Sequence, residues 1–238
     1  MKNVFLAALC GAILISAPTA RAQQVKQPRT VGAFQGVHTG GGIDVVLTQG
    51  STAAVVVEAS AEAQQHLRTT VENGILQIGW EQEGTWRKLT SSRNLGHSVV
   101  YVTCPRLTAL SVSGGSDAKG ESEFSADNMQ LSTSGGGNIR LALSAKALTS
   151  SASGGGNVYL TGQADQQNIT VSGGSDYHAF GLQSRTADVH ASGGSDVELA
   201  VSGELSSDTS GGSGVSYKGA ARVVKSHASG GGGIRQVR

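Results

Sequence analysis

Ser172-Gly173-Gly174-Ser175-Asp176 (SGGSD) is written again at Ser192–Asp196 and, earlier, at Ser113–Asp117. Looser copies begin at Ser134, Ser153, Ser210 and Ser229, so the steps between copies are 21, 19, 19, 20, 18 and 19 residues. A fixed period near 19 is the signature of a solenoid, in which one supersecondary unit stacks on the next. A further relative, TGGGID, begins at Thr39.

The residues flanking each copy alternate. One before the serine stand Val112, Thr133, Ala152, Val171, Ala191, Thr209 and Ala228, all small or β-branched. Two before it stand Ser111, Ser132, Ser151, Thr170, His190, Asp208 and His227, all polar. Five past it come Ala118, Ile139, Val158, Tyr177, Val197, Val215 and Ile234. Period-two alternation on both sides of a glycine pair predicts strand, corner, strand, with one face buried. The glycines supply positive φ at the corner and let successive corners lie against each other without a Cβ between them. The serine and the following Asp or Asn are expected to satisfy corner N–H groups.

These features predict an all-β fold: a right-handed parallel β-helix of about 19 residues per coil, with an irregular β cap at its N-terminal end. Seven coils about 4.8 Å apart make a rod roughly 34 Å long. The structural alternative is a flat array of glycine-rich β units that never closes into coils. Residues 108–238 carry the regular repeats and 31–107 the cap or irregular early coils, the two forming a single domain. Within 31–107, IDVVLTQG and AAVVVEAS read as strands and Ser60 as the cap of a short helix. Asn73-Gly74 marks a hairpin, and HSVVYVTCP is another strand. Residues 81–96 read as a polar loop carrying Trp86, Arg87, Lys88 and Arg93.

Residues 1–22 read as a cleaved signal peptide: Lys2, then an apolar run from Val4 to Ala17, then Ala20-Arg21-Ala22. The apolar run is short of the ~20 residues that span a bilayer. Leu9, where a small residue is needed, speaks against lipid attachment at Cys10. Residues 23–30 read as a linker. Loss of Lys2 and Arg21 leaves sixteen bases against seventeen acids, a net charge of −1. That balance lacks the basic footprint of nucleic-acid binding, and no integral membrane segment is expected. The mature chain keeps one cysteine, Cys104, expected as a buried apolar thiol.

GGIDVVLTQG, then NGILQI, then VYVTCPRLTALSVSGGSD and the recurring S-G-[GS]-x-[DN] units together resemble the head GIN domain family over about residues 31–237. Its members are exported bacterial proteins that carry the label of auto-transporter adhesins. The resemblance implies a β-helix-like fold and a cell-envelope location, and it supplies no catalytic residues. Gly214 and Gly233 depart from the Asp/Asn pattern in the last two units.

Three chemistries are weighed against that reading. The column Asp117, Asn138, Asn157, Asp176, Asp196 is expected to stabilise corners, and Asp176 with Asp196 is the candidate calcium pair. His190, Asp208 and His227 form a candidate zinc or copper stripe if their coils are in register. A polysaccharide-acting enzyme would need clustered acids and bases, and only 15% of residues are charged and 4% aromatic. No cofactor is expected. The function expected is therefore a non-catalytic envelope adhesin or binding module, with a glycan or protein partner and with strand edges open to oligomer formation.

Overall fold

The computed structural model describes residues 24–81 and 96–238. The expected signal peptide and the expected polar loop, apart from its end residues Glu81 and Gly96, lie outside the described residues. The cap comprises β1 (Gln24–Arg29), β2 (Gly36–Thr39), β3 (Ile43–Gln49), β4 (Ala54–Ser60), α1 (Ala61–His66), β5 (Leu67–Glu72), β6 (Ile75–Trp80), β7 (Ser98–Cys104) and β8 (Ala109–Val112). The regular part comprises β9 (Asp117–Thr133), β10 (Asn138–Gly154), β11 (Val158–Gly173), β12 (Tyr177–Gly193), β13 (Asp196–Thr209), β14 (Gly214–Lys218), β15 (Arg222–Ala228) and β16 (Gly233–Gln236). The chain is a parallel β-solenoid of about 7 turns at ~19 residues per turn.

Self-stacking follows the sequence period. Ile139 lies opposite both Ala118 and Val158, Val158 opposite Tyr177, Tyr177 opposite Val197, and Val197 opposite Val215. Val171 lies beside both Ala152 and Ala191. The inward columns are buried from Val112 to Thr209, and from Ala118 to Val215. One hydrophobic cluster runs from Phe34 to Tyr217.

Each corner is narrower in its demands than a glycine pair suggests. The first glycine has positive φ in every copy: Gly114, Gly135, Gly154, Gly173, Gly193, Gly211 and Gly230. Among the second glycines of these seven copies only Gly115 does. A Cβ on Gly173 would sit 2.8 Å from the Gly154 carbonyl oxygen, so the site excludes side chains on two counts. The second glycine instead donates its N–H to the first glycine of the preceding coil. Gly174 bonds Gly154 at 2.8 Å and Gly212 bonds Gly193 at 2.7 Å.

Coil lengths differ, and bulges absorb the difference away from the corners. Lys119 pairs with Arg140 and Glu123 with Ala142, so two extra residues of the longest coil are taken up there. Between β12 and β13 a four-residue step, Ala179 to Gln183, faces the single step Leu199 to Ala200. The difference is thus absorbed as an interruption of register inside one long strand. Gly162 lies at such a bend with φ +107, and a Cβ there would meet the Leu143 carbonyl oxygen at 2.1 Å.

The cap is built by an excursion of the chain. β2 and β3 form a coil whose neighbours are β8 and β9 on one side and β6 and β7 on the other. On the β8 and β9 side the adjacent coil is 73 residues away in sequence, as in the bond from Ile43 N to Ser116 Oγ. Between them the chain leaves to make β4, antiparallel on β7, and α1, whose Ser60 cap accepts from Ala63 N–H at 3.1 Å. The Asn73-Gly74 hairpin joins β5 to β6 as expected.

Two expectations are corrected. Residues 24–29, read as a linker, form β1, which pairs antiparallel with β4 from Gln24 opposite Ser60 to Arg29 opposite Val55. Val25 and Pro28 suit an exposed edge strand, so no local signal separated them from a linker. The TGGGID copy is displaced by one residue. Thr39 lies opposite Val112, which places Gly40 opposite Ser113 and Asp44 one corner from Asp117.

Candidate functional site

The strand leaving each corner points residues four, six and eight past the serine outward, between inward residues at five and seven. The fourth-position column forms a ladder between coils rather than a set of local turns. Asp44 Oδ1 accepts Asp117 N–H at 2.8 Å, and Asn138 Nδ2 donates to Asp117 Oδ1 at 2.7 Å. Asn138 Oδ1 accepts Asn157 N–H at 3.2 Å, and Asn157 Oδ1 accepts Asp176 N–H at 3.1 Å. Asp176 Oδ1 then accepts Asp196 N–H at 3.1 Å. The ladder stops at Gly214, whose N–H bonds the Ser195 carbonyl instead. Each such bond contributes on the order of 1 kcal/mol. The calcium pair is thus two neighbouring rungs, with one oxygen of Asp176 committed to the backbone.

The second candidate set is in register as the spacing required. His190 lies opposite Asp208, and Asp208 opposite His227. The imidazoles remain two coils apart, and His190 Nε2 instead approaches Asp188 Oδ1 at 3.8 Å on its own strand. Among the described residues no group of three or more His, Cys, Asp or Glu side chains is placed to hold a metal ion.

The sixth-position column carries different chemistry. It reads Lys119, Arg140, Tyr159, His178, Glu198, Ser216, Arg235. The Arg140 guanidinium lies 4.6 Å from the centroid of the Tyr159 ring. Tyr159 stacks on His178 with centroids 4.7 Å apart and an interplanar angle of 16°. His178 Nδ1 lies 2.8 Å from Glu198 Oε2. In the eighth-position column beside it, Lys218 Nζ lies 4.5 Å from the centroid of Phe180. A shallow depression runs between these side chains, floored by Leu141, Leu160 and Phe180. The rings stack along the solenoid axis, so their edges rather than their faces meet solvent. This column is readable in the sequence once the period is known. It lacks a repeated residue type, and so nothing in it announces itself beside the glycines.

A third stripe alternates in sign at the far bend. Asp127 lies between Lys146, at 2.8 Å, and Arg106, at 3.7 Å. The Lys146 ammonium holds the Asp127 carboxyl below the usual range, and Asp127 in turn raises Lys146. Glu58 is lowered chiefly by the Tyr101 hydroxyl, and Glu81 by Arg68. These three carboxyls are therefore ionised at neutral pH. Burial pushes the Cys104 thiol up to about 11, which makes it an inert core residue at the end of β7.

The fold is a parallel β-solenoid whose outward columns differ in chemistry. The chain belongs to the family whose description is "Putative auto-transporter adhesin, head GIN domain", which matches residues 33–221. A solved structure titled a putative adhesin from Bacteroides fragilis NCTC 9343 is 20% identical, covers 91% of this chain and 98% of its own, and superposes with a TM-score of 0.81. One titled a putative lipid binding protein from Parabacteroides distasonis ATCC 8503 is 18% identical over 90% of this chain and 97% of its own, with a TM-score of 0.71. A putative adhesin from Parabacteroides merdae ATCC 43184 is 15% identical over 91% and 97%, with a TM-score of 0.64. At these identities the likeness is one of fold. No curated protein sequence matches the chain at a significant level. Among the described residues no helix is long and apolar enough to cross a membrane.

Proposed function

We propose that this chain is an exported, non-catalytic binding module of the cell envelope, folded as one β-helical domain that takes in β1 ahead of residues 31–238. It acts as an adhesin through the face that follows the glycine corners. The observation that carries this reading is the sixth-position column. Cations, stacked rings and an apolar-floored depression are displayed there on a rigid wall, whereas the fourth-position column beside it is spent on ladder bonds. A stiff scaffold holding outward side chains at fixed spacing suits binding with little ordering cost.

The test applies the mature chain to immobilised glycans and envelope proteins, with a parallel assay for released oligosaccharide. Saturable binding without product is the expected result. Release of oligosaccharide from any polysaccharide tested would overturn the reading in favour of an enzyme.

A further inference from the structure

The cations around the depression lack carboxylate partners, whereas several cations elsewhere have them. Lys26 reaches Glu58, Arg68 reaches Glu81, Lys146 reaches Asp127 and Arg222 reaches Glu204. Among the described residues, Lys119, Arg140 and Lys218 have no carboxylate within ion-pair distance. Arg140 and Lys218 instead lie over rings. Glu198 is the acid that lines the depression, and His178 engages it. The strip therefore presents unpaired positive charge on a chain whose overall balance is close to neutral.

The charges are also set far apart. Arg140 and Lys218 stand four coils from each other, about 19 Å along the axis at about 4.8 Å per coil. A single small anion cannot meet both. Between them lie the Tyr159 and Thr161 hydroxyls, which have no partner among the described residues and can donate or accept. An extended ligand bearing repeated anionic groups, with hydroxyls between them, matches this layout.

We propose that the strip from Lys119 and Arg140 to Lys218 binds an acidic polysaccharide laid along the solenoid axis, its carboxylates or sulfates on the cations and its hydroxyls on Tyr159 and Thr161. This deepens the binding-module reading and rests on it. A lipid surface fits less well. Among the described residues the exposed large apolar side chains, Val25, Val223 and Val224, lie off the strip, and its own apolar side chains, Leu141, Leu160 and Phe180, line the depression rather than project from it. Ring faces already covered by Arg140 and His178 also leave no platform for stacking a neutral sugar, so recognition runs through charge.

The experiment measures binding of the mature chain to immobilised polygalacturonate and alginate, with dextran as the neutral polymer and phosphatidylglycerol vesicles as the anionic lipid. Binding to the two uronate polymers and not to dextran or vesicles is expected. It should weaken steeply between low salt, where the Debye length is about 30 Å, and 1 M salt, where it is about 3 Å. The double variant Lys119→Ala, Arg140→Ala should weaken it by about tenfold, while Lys146→Ala, whose cation is paired elsewhere, should not. Both strip residues are exposed, so an unchanged melting temperature will separate lost contact from lost fold. Equal binding of dextran, preference for the vesicles, or full binding by the double variant would overturn the proposal. Binding confined to a protein or neutral glycan elsewhere on the molecule would overturn it and leave the binding-module reading standing. Cleavage of the polymer would instead remove that reading.

Discussion

The two ends of the solenoid are finished in opposite ways. At the N-terminal end β4, α1 and β1 cover the first coils. Val55, Val57, Ala63 and Leu67 are buried there, and the Trp80 indole donates to the Gly41 carbonyl at 2.8 Å, over the first corner. At the C-terminal end β15 is exposed along its whole length and Ala228, equivalent to buried Val171 and Ala191, faces solvent. The same sequence pattern thus gives a core residue where a further coil follows and a surface residue where none does. Burial in this fold is conferred by the neighbouring coil, one period away. Both edges carry features that discourage pairing: charge and proline on β1, as Lys26 and Pro28, and charge alone on β15, as Arg222 and Lys225.

The strongest way to break the comparison is to place a charge at equivalent depth on each end. Ala63→Asp buries an unpaired carboxylate under the cap and should cost about 3–5 kcal/mol, whereas Ala228→Asp should stay within about 0.5 kcal/mol. Urea denaturation of the two variants checks this. Next comes the corner itself. Gly173→Val meets both a φ of +81 and the Gly154 carbonyl, and should cost about 3 kcal/mol. Gly230→Val meets the same contact at 2.8 Å, but the last coil can fray, so its loss in a global unfolding measurement should be smaller.

A smaller effect lies between the ends. Ser150 is buried in an inward column and its hydroxyl has no hydrogen-bond partner. Ser150→Ala should raise stability by about 1 kcal/mol, read as a higher melting temperature. The smallest is electrostatic. Asp127 is held below its ordinary value, so its contribution is present above the unfolded pKa of about 4 and fades as pH falls through the folded value. Lys146→Ala should move the Asp127 titration up toward the ordinary range, as followed by NMR.

How much of this was legible in the sequence depends on which residues a period can reach. The inward columns, the corners and the register of His190, Asp208 and His227 follow from counting, because equivalent residues are vertical neighbours. The family match and the solenoid agree with that reading. The antiparallel pairing of β1 with β4 and the 73-residue gap between Ile43 and Ser116 were not legible. Non-local pairing leaves no mark in a local pattern. Ser150 and Ser207 break the apolar column three before the serine and are buried all the same, since enclosure by adjacent coils outweighs the preference of one hydroxyl. The calcium pair was visible as two acids one coil apart, but the role of the column as a backbone ladder needed coordinates. The strip around Tyr159 and His178 lay in an outward column with no repeated type, where stacking does not constrain identity.

Amide hydrogen exchange of the second corner glycines tests the central claim most directly. Gly155, Gly174, Gly194 and Gly212 are exposed, yet each donates its N–H to the coil before it. The account predicts that these four amides exchange far more slowly than unprotected glycine, and that Gly231, in the terminal coil, is the least protected of the series. Exchange of Gly174 and Gly194 at the rate of a free loop would contradict it, because corners that do not stack have no partner for those N–H groups.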